Sequence, residues 1–195
     1  TEFGQLEIPC FLDRTRGIVL NPMIEYIKSA LQLYIRDFSY DTVFHFLRSG
    51  MADISREEID ELENYVIRTG ARGYRTYSRL FTRKTEEMQQ GSGQEDTERA
   101  EETMERLNRI RQQFADTVEI LHMAPRAKAG EYVDHLYDFL EQNQVQQKLL
   151  NYQQRFEQEG DLAKAREYAQ IYRLVMDLLD QIYELLGEEE ISLQE

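Results

Sequence analysis

The sequence predicts an all-α protein, a helical bundle of six or seven helices, with a short N-terminal strand belonging to a sheet mostly outside the chain. Three observations carry this. Apolar residues recur at three- and four-residue spacing through most of the 195 residues. Only three prolines and no tryptophan occur, whereas the helix formers Glu, Gln, Arg and Leu are abundant. Capping residues punctuate the apolar pattern at both ends of several segments. With 41% hydrophobic and 31% charged residues, the chain carries enough apolar material for a core.

Each element follows in order. The stretch "LEIPCFL" around Cys10 reads as a strand, followed by a charged turn, and residues 1–20 hold both. No later run looks able to pair with it. Asn21 before Pro22 places a capping side chain ahead of a proline at the first helical position, and the helix runs to about Phe38 with Ile24, Ile27, Leu31 and Tyr34 on one face. A short helix spans about Tyr40 to Arg48, with Gly50 just past it. Ser55 and Glu58 form a capping box for a third helix through Ile59, Leu62 and Val66. Gly70 and Gly73 interrupt the pattern, and a fourth helix is expected from near Thr76 toward Met88.

Residues 89–96 read as a linker, since "QQGSGQED" has no apolar residue. A long helix then runs from about Thr97 to Met123, ended by Pro125. Helices are expected over Gly130 to Gln142 and Val145 to Gln158, and a last one from Asp161, an N-cap, to Gly187. The chain thus divides into residues 1–20, a first helical part 21–88, the linker 89–96, a second helical part 97–187 and a closing segment 188–195. The predicted core includes Ile24, Ile27, Leu31, Phe44, Leu47, Leu62, Val66, Leu107, Phe114, Val118, Leu136, Leu140, Tyr172, Leu179 and Ile182. No internal repeat is present.

Chemistry-bearing motifs are missing. There is no G-x-x-x-x-G-K-[ST], no G-x-S-x-G and no H-E-x-x-H. One cysteine and three scattered histidines (His45, His122, His135) give no internal disulfide, no nucleophile–base pair and no zinc-ligand spacing. Catalytic, cofactor and metal residues are therefore expected to be none. Composition suggests an intracellular, cytoplasmic protein without membrane span or signal peptide. A formal charge of −14 disfavours nucleic-acid binding through the whole surface.

One stretch departs from that balance. "RTGARGYRTYSRLFTRK" (68–84) carries five arginines and a lysine with no carboxylate among them. Were it mostly helical, its arginines would form one stripe, with tyrosines and a phenylalanine interleaved. Arg68, Arg72, Arg75, Tyr77, Arg79 and Arg83 are the candidate contact residues. Two readings stay open: pairing with acidic helices of this bundle or of a partner, and contact with nucleic-acid phosphates and bases.

The segments "IPCFLDRTRGIVLNPMIEYIKSAL", "YDTVFHFLRSGM", "REEIDELENYVIRTGARGY" and "EGDLAKAREYAQIYRLVMDLLDQIYELLGEEEISLQE" resemble, in this order, the middle of the B subunit of the bacterial ATP-dependent helicase/deoxyribonuclease, the AddB/RexB type. The resemblance covers most of the chain except about residues 86–102, and Cys10 stands where an aromatic is expected. It implies a fragment of a DNA-repair enzyme that resects double-strand breaks for homologous recombination. In that setting residues 1–20 are the remnant of a RecA-like lobe, the helices are a non-catalytic 2B-like insertion, and 188–195 return toward the lobe. It also implies that the strand near Ile8 and the tail near Ile191 lie on one side of the bundle. The A subunit and, through the complex, DNA are the implied partners. ATP, magnesium and an iron–sulfur cluster would belong to the rest of the parent protein, together with its helicase and exonuclease motifs. A helical adaptor without any DNA role is the alternative.

Overall fold

The computed structural model describes residues 21–90 and 93–194. The strand expected at 8–12, with Cys10, lies outside the described residues, as do Gly91 and Ser92 of the expected linker. The described residues form nine α-helices and one two-stranded antiparallel ribbon, so the all-α class holds.

Helix α1 (Pro22–Ile35) starts where Asn21 accepts the Met23 N–H at 3.0 Å. It stops three residues earlier than its apolar pattern suggests, because Asp37 and Phe38 both adopt left-handed backbone (φ 44° and 48°). That reversal swings the chain into α2 (Tyr40–Leu47), and Phe38 is buried against Tyr34, Tyr74, Tyr77 and Phe114. Helix α3 (Arg56–Thr69) carries the capping box of Ser55 and Glu58 in full and ends at Gly70, φ 69°, where a left-handed residue costs glycine little.

The fourth helix departs from expectation. Only Tyr74–Tyr77 (α4) is helical there, residues 79–85 form neither helix nor strand, and Glu86–Gln90 makes a single-turn α5. Helix α6 (Gln94–Val118) begins three residues earlier than expected and tightens into a 3₁₀ turn over Glu119–Leu121. Residues 89–90 and 94–96 of the expected linker are thus helical.

Helices α7 (Ala129–Gln142) and α8 (Val145–Gln158) are separated by two residues, Asn143 and the left-handed Gln144. Helix α9 (Leu162–Leu186), about 37 Å long at 1.5 Å per residue, runs back along both. Tyr152 and Phe156 of α8 meet Tyr168, while Tyr137 of α7 donates to Asp180 at 2.6 Å. Two strands not expected from the sequence, β1 (Arg126–Lys128) and β2 (Glu190–Ser192), pair antiparallel at the far end. Gly130 packs closely beside them: a Cβ there would meet the Gly187 carbonyl at 3.1 Å and the Tyr183 ring at 3.2 Å, so a larger residue would have to push these neighbours aside.

The core runs from α1 to α9 in one cluster. Tyr26 stacks between Phe46 and Phe139, each at 5.1 Å, and Phe38, Tyr77, Phe81 and Phe114 continue the aromatic seam. Ten of the fifteen predicted core residues are buried, and Ile24, Ile27, Leu31, Tyr172 and Ile182 only flank the core. In α1 the buried face is Met23, Tyr26, Ala30 and Leu33, one residue out of phase with the predicted stripe.

The side-chain amide of Asn21 donates to Glu167 at 2.9 Å, near the start of α9, whereas the tail leaves past its other end. Asn21 and the end of α9, from which the tail leaves, therefore lie about 28 Å apart along that helix. The resemblance implies one side for residue 8 and the tail; residue 8 itself lies outside the described residues.

Candidate nucleic-acid interface

The candidate residues on α3, α4 and the segment after it divide into three kinds. Arg68, in the last turn of α3, pairs with Glu87 of α5, and Arg83 donates to the Thr69 carbonyl at 2.8 Å. These two tie the segment down. Tyr77, expected on the surface, is 1% exposed and packs against Phe38, Phe81 and Phe114; it belongs to the core. Arg72, Arg75 and Arg79 are exposed, and among the described residues no ion pair or hydrogen bond holds their guanidinium groups.

The three free arginines do not form a helical stripe. They line a groove of about 440 Å³ together with Arg83, Leu80 and the polar edge of Thr76 and Thr82. Its wall is made of Tyr65, 69–72, 75–76 and 79–83, and none of these is a carboxylate. In a chain of net charge −14, four arginines around one groove without a counter-charge form a local positive focus.

What shapes the groove is a set of bonds that no motif search finds. Asn108 of α6 accepts the Phe81 N–H at 2.7 Å and returns its own amide to the Phe81 carbonyl at 3.0 Å, as a neighbouring strand would. One turn further, the buried Arg111 donates to the Tyr77 carbonyl at 2.7 Å. Tyr65 of α3 donates to the Arg83 carbonyl at 2.9 Å, and Gln89 to that of Lys84 at 3.0 Å. An irregular segment is thus fastened at five carbonyls or amides, which leaves its outward arginines on a fixed base. The available signal in the sequence was Arg111 itself, a charge inside the apolar stripe of Leu107, Ile110 and Phe114.

The turn before α4 is clamped from the other side. Asp37 Oδ1 accepts the Tyr74 N–H at 2.9 Å, and Gly73, φ 84°, donates to the Phe38 carbonyl at 3.3 Å. Tyr74 donates to Glu119 at 3.0 Å, and its ring stacks on His122 at 4.3 Å. His135 bonds the Ile120 carbonyl through Nδ1 at 2.6 Å, a satisfied structural histidine. Among the described residues no group of His, Cys, Asp and Glu is arranged to hold a metal ion, and no helix is long and apolar enough to cross a membrane.

The fold and groove thus define a helical module with a rigid, cationic recess. No protein-family model matches the chain. Known proteins do: the chain is 38% identical over 196 residues, 99% of its length, to the B subunit of the ATP-dependent helicase/deoxyribonuclease of Clostridium botulinum strain Langeland. Proteins of the same name from Acetivibrio thermocellus and Lachnoclostridium phytofermentans are 35% and 33% identical over 98% and 96% of the chain. These alignments run the length of the chain. The chain spans about 17% of the length of the Clostridium botulinum relative.

Proposed function

We propose that the chain is the non-catalytic, 2B-like helical domain of the B subunit of a helicase-nuclease that processes double-strand DNA breaks for recombinational repair, and that its arginine groove holds DNA phosphates. The observation that carries the second part is the groove itself: Arg72, Arg75 and Arg79 face solvent with no carboxylate in the wall. Arginines recruited to pair with acidic helices would be engaged, as Arg68 and Arg48 are.

The similarity to B subunits supports the parent's role; an A subunit would be its partner, in the cytoplasm. Residues 1–20 and 188–195 would then connect the domain to a RecA-like lobe. ATP, magnesium and an iron–sulfur cluster would be bound by the rest of the parent. The residues of this chain do not by themselves make such sites, since one cysteine cannot hold a cluster alone and the sequence has no glycine-rich phosphate loop.

Titrating the chain with a labelled DNA fork at low and at moderate salt tests the reading. Weak binding whose affinity falls steeply with salt is expected. No binding at low salt would remove direct DNA contact and leave the domain as scaffold or intersubunit surface.

A further inference from the structure

Helix α9 carries two apolar stripes. Ala165, Tyr168, Ile171, Val175 and Leu179 form the buried one, on a helix packed along α7 and α8. Leu174 and Leu178 each stand one position before a buried residue, so they lie about 100° round the helix axis, and Leu185 follows seven residues on in the same row. These three are 45%, 53% and 79% exposed. A single exposed leucine is ordinary. Here, six of the ten large apolar side chains exposed among the described residues belong to this one helix, which marks its open flank as a contact face.

The place of the row in the fold says what covers it. Asn21 is bonded to Glu167 in the second turn of α9, and the tail leaves past Leu186. The chain thus comes in at one end of α9 and goes out at the other, with Leu174 and Leu178 between the two points and Leu185 at the exit. A body joined to both chain ends is held across this helix, and two tethers raise its effective concentration at the row. The flank also states the chemistry of that body. Asp177 and Glu184, each one position before a leucine of the row, lie along its outer side, and no lysine or arginine follows Arg173 in the chain. An antiparallel second copy would set Asp177 against Glu184, two like charges, whereas a surface with a basic rim is complementary. We infer that the row is an intramolecular docking seam, covered by the remainder of the B-subunit polypeptide through an apolar surface rimmed by Lys or Arg. This rests on the reading of the chain as a domain of a longer B subunit, and names the face by which that domain is held.

Hydroxyl-radical footprinting read by mass spectrometry tests it on this chain, on the full-length B subunit and on the complex of A and B subunits, each normalised to a reporter peptide in the same tube. Leu174, Leu178 and Leu185 should be oxidised in this chain and about fivefold or more slowly in the B subunit alone, as a change from exposed to buried requires. The Leu174→Glu, Leu178→Glu double variant of this chain should melt with wild type, because both positions are exposed. In the B subunit the same variant should return Leu185 to the oxidation rate of the isolated chain. Three results would overturn the seam: equal oxidation in chain and B subunit, protection that appears only when the A subunit is added, or protection in the isolated chain that grows with its concentration. Nuclease activity of the same heterodimer preparation on DNA ends tests the domain reading separately, and its absence would overturn that reading whatever the footprint.

Discussion

Two side chains show how local chemistry sets stability here. The Tyr26 ring is stacked on both faces, yet its hydroxyl is buried without a partner among the described residues. Removing that oxygen keeps the packing and relieves an unpaired polar group. Tyr26→Phe should therefore melt at or above the wild-type temperature, and a clear loss would reveal a hydroxyl partner. Glu63 is the opposite case. Arg48 grips it at 2.9 and 2.5 Å and Tyr40 donates to it at 2.6 Å, which holds its carboxyl down to about 2 from an ordinary 4.5. A folded value below the unfolded one stabilises above pH 4.5, and that contribution is lost as the pH falls toward 2. Arg48→Gln should flatten the acid side of a stability-against-pH curve in this window. An unchanged curve would mean that the pair contributes nothing.

At the scale of elements, α7 and α9 are seated by Leu136 and Leu179, both buried. Replacing either by alanine should cost about 2–4 kcal/mol in denaturant unfolding, and near-zero losses at both would contradict the packing. The 79–85 segment depends instead on α6. Asn108→Ala should cost about 1–3 kcal/mol and speed amide exchange at Phe81 in particular, because it strips both polar groups of that residue. Helices with one apolar face, α3, α7, α8 and α9, were legible in the sequence to within a residue or two, and side-chain caps marked the starts of α3 and α9. Helix α1 is apolar nearly all round, so its periodicity offers two stripes a residue apart, and only its neighbours choose Met23, Tyr26, Ala30 and Leu33. The arginine segment has helical propensity, but Asn108 and Arg111 bond its backbone in place of helical partners. Tertiary bonds of that kind leave no local pattern. The candidate arginines themselves were visible as an acid-free run, whereas their division into anchors and free groups required the fold.

Across the whole molecule, the question is how an acidic chain presents one cationic recess. The charge of −14 is spread over helix faces, while Arg72, Arg75, Arg79 and Arg83 surround a single groove. Over distances beyond about 8–10 Å, salt screens the acidic surroundings more than it weakens close phosphate contacts. The measurement that tests this most directly is fork binding by the Arg75→Gln, Arg79→Gln double variant across a salt series, beside its melting curve. Weaker binding, a salt slope reduced by roughly 0.7–0.9 for each phosphate no longer neutralised, and an unchanged melting temperature are predicted. Unchanged binding, or a lowered melting temperature with no DNA binding to alter, would contradict the account and assign these arginines to the fold.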